Sequence, residues 1–307
     1  MTRLSSVLVI GATGDQGAAQ LAALRRLGTR AAGATRDPTC PAFPCGASAV
    51  FLDLHEPRSI LTALEGVDTV FLNLPSASFS DPQHILDGFD NVLAAAQMQP
   101  HLRVIFNTSL YVAESPQGHP AHDTRFTMVE RLLQSPVDAT VICPVIFLDN
   151  LLRGWALPTL RCERLLRYPH AVDLPVSWIC LDDLAKIMIA LAEDPSAVGA
   201  RWVVGGPEPL CGPQTAAELS RAWGEIITFD SFPVADFAHA MGTLFGGGEH
   251  SDPARITADL ERVYRWYNDA KPSPFTVDMS PFLRRYPIAM TTVYDWACQH
   301  RLLQSEH

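Results

Sequence analysis

A chain of 307 residues, 48% hydrophobic and 18% charged, has a globular composition and is long enough for a nucleotide domain plus a smaller companion. Its formal net charge of −10 excludes the broad basic face that nucleic acid requires, and no apolar run reaches the roughly 18 residues of a membrane span. The N-terminus runs straight into a strand without the order of a signal peptide, so the expectation is a soluble cytoplasmic protein with a small organic partner, no nucleic acid and no membrane.

In chain order, residues 7–10 are an unbroken apolar run and predict a buried strand. Residues 16–27 carry helical spacing and stop at Gly28, a suitable C-cap. Strands follow at 31–34, 49–52 and 69–72, with a helix over 57–64 that has Pro57 in its first turn and Gly66 past its end. A long helix over 82–98 precedes strands at 104–106 and 140–142. Apolar runs of this kind are buried on both faces, and their alternation with helices predicts an α/β, Rossmann-type, doubly wound parallel sheet whose ligand crevice lies at the carboxyl ends of the strands. The pattern changes near residue 150. Residues 1–150 read as the NAD(P)-binding domain and 151–307 as a smaller, mostly helical substrate lobe, with a strand at 201–204 returning to the sheet and helices over 213–223 and 252–268. Gly246-Gly247-Gly248 reads as a hinge or flexible loop. The seven cysteines are scattered and include no C-x-x-C pair; Cys40 and Cys45 flank a proline-rich stretch with no second pair to complete a zinc site, so reduced thiols and no metal are expected.

Gly11-Ala12-Thr13-Gly14-Asp15-Gln16-Gly17 stands between the first strand and the first helix. In that context the G-x-x-G-x-x-G spacing has a physical reading. Gly11 permits a tight turn, Gly14 lets backbone approach a pyrophosphate, and Gly17 lets helix pack on strand, so that the positive end of the helix dipole faces the phosphates. The second strand ends at Thr35-Arg36-Asp37-Pro38. An arginine there suits the 2′-phosphate of NADP(H) in preference to NAD(H), while Asp37, one residue on, remains within reach of a ribose. Asp53-Leu54 ends the third strand, where adenine would lie, although an Asp at a strand end is also an ordinary helix-entry residue. Asn73-Leu74-Pro75 and Asn107-Thr108-Ser109 end the next two strands and are expected to flank the cofactor ribose and nicotinamide.

These residues resemble the NmrA-like family, atypical members of the short-chain dehydrogenase/reductase superfamily. The resemblance spans nearly the whole chain through the glycine loop, Thr35-Arg36-Asp37-Pro38, Asp53-Leu54, Pro144-Val145-Ile146-Phe147-Leu148-Asp149-Asn150 and Asp182-Asp183-Leu184-Ala185. It implies NADPH-dependent reduction of quinones, ketones or phenylpropanoid-type alkenes, or dinucleotide binding that reports redox state without turnover. It also places Pro144 and Phe147 near the cofactor, and Phe147, Asn150, Trp155, Trp178, Met241 and Phe245 around a substrate pocket.

One departure matters. The wider superfamily uses Tyr-x-x-x-Lys on the helix after the fifth strand, but here Phe126 stands where the lysine would be, Tyr111 is followed at the fourth position by Ser115, and the chain's lysines are Lys186 and Lys271. A tyrosine activated by a neighbouring ammonium is therefore not evident. His122 is the local candidate for a proton donor because free imidazole titrates near neutrality, Tyr111 and Ser109 could hydrogen-bond an acceptor oxygen, and Asp123 either orients a histidine or caps the helix. The expected activity is hydride transfer from NADPH to a conjugated carbonyl, quinone or imine, with secondary metabolism as its setting. The alternatives are a non-catalytic NADP(H) sensor acting on a protein partner and a non-redox enzyme of the same fold. Monomer and dimer both remain open.

Overall fold

The computed structural model describes residues 4–39, 43, 46–75, 81–247 and 252–300; Cys40, Cys45 and Gly248 lie outside the described residues. In chain order the elements are β1 (Ser6–Ile10), α1 (Asp15–Arg26), β2 (Arg30–Thr35), β3 (Ser48–Phe51), α2 (Pro57–Ala63), β4 (Thr69–Asn73), α3 (Pro82–Gln97), β5 (Arg103–Asn107), α4 (Pro120–Leu133) and β6 (Asp138–Pro144). Then come β7 (Leu165–Tyr168), α5 (Leu181–Ala192), β8 (Arg201–Val204), α6 (Gly212–Trp223), β9 (Thr228–Ser231), α7 (Val234–Phe245), α8 (Pro253–Asp269), α9 (Ser280–Arg285) and α10 (Val293–Gln299).

Seven strands form one sheet in the order β3-β2-β1-β4-β5-β6-β8, and the pairings from β3 through to β6 are parallel. This is the α/β Rossmann-type architecture that the alternation predicts. The strand order changes direction between β1 and β4, so the loop leaving β1 opens at the switch point where ligands bind in such sheets. β1 and β4 are buried at every position, as their continuous apolar runs require. Leu8, Val70, Phe89, Val104, Phe106 and Val141 form part of the core beneath them, and full burial of each such side chain is worth roughly 1.5–3 kcal/mol. β3 departs from the expectation. It is an edge strand with Phe51 46% exposed, so its short apolar run is covered on one side only.

The chain divides into two compact units, residues 1–144 with 181–203, and residues 145–180 with 204–307. The first unit takes back more of the later chain than a single strand, because α5 also belongs to it. Asp182 of α5 pairs with Arg26 at the end of α1, and Met188 Sδ receives the Gln20 amide at 3.0 Å. The second unit carries the parallel pair β7–β9 and helices α6 to α10 around an aromatic interior in which Tyr168, Trp178, Phe237 and Phe275 are buried. No helix among the described residues is long and apolar enough to cross a membrane. Cys143, Cys162, Cys180, Cys211 and Cys298 carry no disulfide.

Candidate functional site

The three loop glycines answer different demands. Gly11 has φ +78° and leaves 2.7 Å between an added Cβ and the Asn73 carbonyl oxygen, so both its turn and the approach of β4 exclude a side chain. Gly17 is buried, and a Cβ there would lie 2.4 Å from the Gly11 carbonyl oxygen. Gly14 is exposed, caps α1 with φ −86°, and offers nothing nearer to an added Cβ than the Gly11 carbonyl oxygen at 3.5 Å. The fold would accept a side chain at Gly14, so the space above it is open to a ligand. Thr13 and Asp15 are exposed beside it and Gln16 is half-buried. The cradle therefore joins an open main chain to a helix N-terminus, a fit for a pyrophosphate.

At the end of β2, Arg36 is exposed. Asp37 is engaged locally: its Oδ1 accepts from the Thr39 hydroxyl at 2.6 Å and the Thr39 amide at 2.9 Å, and these bonds hold its carboxyl below the usual range. Asp53 likewise accepts the His55 N–H at 2.8 Å, and the Leu54 carbonyl accepts from Asn91 at 2.9 Å. Both acids do turn-forming work, whatever they add toward a ligand.

The asparagines expected to flank ribose and nicotinamide are spent inside the protein. Asn73 is 5% exposed and Asn107 0%. Asn73 and Gln20 form a reciprocal amide pair, two bonds of 2.8 Å, and Asn73 Nδ2 also donates to the Ile10 carbonyl at 2.9 Å. Asn107 Nδ2 donates to Asn73 Oδ1 at 2.8 Å and to Gln16 Oε1, while Asn107 Oδ1 accepts the Ser109 N–H at 2.9 Å. Gln20 was not singled out in the sequence; its signal was a polar residue on the apolar face of a helix. Leu74 and Pro144 are buried at the ends of β4 and β6, and Phe147 lies in the second unit, where it bridges to Ile179.

Between β5 and α4 the main chain is held under constraint. Ser109 adopts φ +64°, unusual for a residue with a side chain, and its Oγ is buried with no hydrogen-bond partner among the described residues. Thr108 Oγ1 donates to the Leu110 carbonyl at 2.7 Å, and the Arg201 guanidinium reaches from β8 to the carbonyls of Val112 and Ala113. Tyr111 is half-buried in this segment, and burial, then the nearby Glu114 carboxylate, raise its phenol above the ordinary value, keeping it a protonated donor at neutral pH.

The structure corrects the expectation of a near-neutral imidazole at His122. That side chain is 4% exposed, and burial, with His119 and Arg125 adding like charge, lowers its pKa to about 3. Imidazolium is therefore not available at His122 near neutral pH. Asp123 accepts the N–H groups of Gln117 and Gly118 at 2.8 and 2.9 Å, so it ties down the approach to α4. Phe126 packs against the core beside the sheet. Lys186 is engaged with Asp182 and Asp183 at 3.0 and 2.8 Å. The cation turned inward on α4 is Arg125, 1% exposed, with Nη2 3.3 Å from the Pro75 carbonyl oxygen. Burial lowers it to about 10, which leaves it charged. The sequence signal was its spacing with His122, Met128, Val129 and Leu132 on the buried face of α4.

The residues expected to wall a substrate pocket fall in the second unit. Trp155 packs on Tyr168 and Phe237, Trp178 on Tyr168 and His170, and Asn150 donates to the Tyr168 hydroxyl at 3.2 Å. Met241 is buried on α7, and Phe245 ends that helix.

The model of the NmrA-like family matches residues 3–296. The chain belongs to the NmrA-like family. Among relatives of this NmrA-like protein, a (4-alkanoyl-5-oxo-2,5-dihydrofuran-3-yl)methyl phosphate reductase of Streptomyces griseus subsp. griseus is 27% identical over 229 residues, 74% of this chain and 77% of that one. An NAD(P)H azoreductase of Xenophilus azovorans is 26% identical over 192 residues, 62% of this chain and 63% of that one. Among solved structures, the NADPH complex of an NADPH-dependent quinone oxidoreductase from Escherichia coli superposes with a TM-score of 0.72 at 18% identity, covering 96% and 99% of the two chains; at that identity the likeness speaks for the fold.

Proposed function

We propose that this NmrA-like protein is an NADP(H)-dependent reductase of the atypical short-chain type that acts on a small conjugated acceptor, a quinone, enone or imine. The open cradle at Gly14 carries the reading, because the fold needs Gly11 and Gly17 but has no steric use for a third glycine. Arg36 suits the 2′-phosphate, and Asp37, engaged by Thr39, competes less for a ribose. NADPH, when bound, supplies the hydride. The protein's own part is to orient the dinucleotide, exclude water and present Ser109 and Tyr111 as neutral hydrogen-bond donors toward an acceptor oxygen.

The choice of acceptor follows from the proton. Hydride addition to a simple ketone gives an alkoxide that needs a strong, close acid, and His122 is neutral here. Hydride addition to a quinone or enone gives a delocalised anion that takes its proton from solvent, and hydroxyl donors suffice to steady it. The relatives that reduce azo and oxo-dihydrofuran compounds fit this preference. Single-turnover oxidation of NADPH with quinones, enones and simple ketones tests the proposal, with conjugated acceptors expected to react fastest. Fast reduction of simple ketones alone would overturn the acceptor class. Tight NADPH binding with no oxidation by any acceptor would move the reading to a redox sensor.

A further inference from the structure

The buried amides below the glycine loop form a path with a direction. Asn107 stands at its centre and makes three bonds. Its Nδ2 gives one hydrogen to Gln16 in the loop-to-helix junction and one to Asn73 at the end of β4. Its Oδ1 receives the backbone N–H of Ser109. The orientation of the Asn107 amide is set by its neighbours. Asn73 Nδ2 is committed to the Ile10 carbonyl and Gln20 Oε1, so Asn73 turns its Oδ1, which also accepts from Gln20 Nε2, towards Asn107, and an oxygen facing Asn107 at 2.8 Å calls for the NH2 end of that amide. The carbonyl end of Asn107 must then face Ser109. The bond it accepts holds Ser109 in the left-handed region, a strained conformation that persists only where its surroundings enforce it. That conformation leaves Ser109 Oγ buried and without a partner among the described residues.

We infer that Asn107 is a positioning residue: it sets the Ser109 hydroxyl to donate to the acceptor's carbonyl-type oxygen and, through Gln16, ties that hydroxyl to the dinucleotide loop. The role assigned to Ser109 rests on the reductase reading; the link from Gln16 through Asn107 to Ser109 does not. A chain of hydrogen bonds in a buried site restrains its members collectively, so ordering of the 11–17 loop by a dinucleotide propagates to Ser109.

Two measurements test this separately. The first is a double-mutant cycle of Asn107→Ala and Ser109→Ala on NADPH oxidation by a quinone, with NADPH affinity and thermal midpoint followed alongside. Each single variant should lose roughly tenfold or more in kcat, in line with loss of one transition-state hydrogen-bond donor, with NADPH affinity within about threefold of wild type. The double variant should be no more than about twofold slower than Ser109→Ala, because Asn107 has nothing left to position. Losses that multiply, or that vanish from kcat and appear only in the thermal midpoint, overturn the role. The second is amide hydrogen exchange at Ser109, which reads the link whether or not any acceptor turns over. Asn107→Ala should deprotect the Ser109 N–H while the β1 and β4 amides stay protected. NADPH should slow Ser109 exchange in wild type but not in Gln16→Ala. Unchanged protection in Asn107→Ala, or equal slowing in Gln16→Ala, sinks the link. An intact exchange pattern with no turnover by any acceptor would leave the link standing and remove the reductase.

Discussion

The loop of residues 11–17 and the segment of residues 107–125 both leave a central strand and lead into a helix, yet they place chemistry in opposite ways. In the first the work falls to main chain: two glycines are demanded by close backbone and the third leaves room. In the second the polar side chains turn inward. Asn107, His122 and Arg125 are each buried, and Ser109, a strained residue, keeps a buried hydroxyl without a partner among the described residues. A site built from backbone is read from which side chains are absent. A site built from side chains depends on where neighbours leave each one pointing.

The sharpest way to break this contrast is at the glycines. Gly17→Val should destabilise the fold strongly, since its Cβ would meet main-chain atoms at 2.4 and 2.8 Å and backbone cannot move aside cheaply; overpacking costs typically about 1–3 kcal/mol, and more where the clash is with main chain. A native thermal midpoint in that variant would refute the packing role. Gly14→Val should fold with native far-UV dichroism and lose NADPH binding by two decades or more, seen by fluorescence titration. Unchanged affinity would mean that the open cradle holds no phosphate.

A smaller effect is expected at Arg36→Ala. A charge-assisted phosphate contact is worth roughly 1.5–3 kcal/mol, or one to two decades of affinity, and the loss should fall on NADPH much more than on NADH. Equal losses for both would make Arg36 structural and return the choice of cofactor to Asp37.

The buried histidines sharpen the other side. His122 and His170 both have folded pKa values of about 3, set first by burial, against an ordinary 6.5. Below pH 6.5 the unfolded chain takes up protons that the folded one refuses, so stability is complete above that pH and declines as pH falls towards 3. Each histidine contributes a slope of at most about 1.4 kcal/mol per pH unit. Urea unfolding between pH 7 and 5 should show this decline, and His170→Phe should flatten part of it; an identical slope in the variant would mean that His170 is charged in the folded protein. The smallest effect concerns turnover. The kcat profile should lack an inflection near pH 6.5, and His122→Ala should change kcat with a quinone by no more than about threefold below its thermal midpoint. A larger fall confined to kcat would reinstate His122 as the acid.

The sequence by itself determined the alternation of strands and helices through β6, the glycine loop between the first strand and the first helix, and the strand at 201–204, because apolar runs and glycine spacings are local patterns whose physics does not depend on distant partners. It also showed that no lysine follows Tyr111 at the fourth position. Only the tertiary structure decided that α5 packs with α1, that β3 is an exposed edge, and that Asn73 and Asn107 are spent on Gln20, Gln16 and Ser109. It likewise decided that His122 is neutral, since its pKa is set by desolvation within the packed interior and by His119 and Arg125 beside it. Residue type states what a side chain could donate, accept or ionise. Burial and the partner across a contact, here as many as 168 positions away for Gln20 and Met188, decide which of these it does.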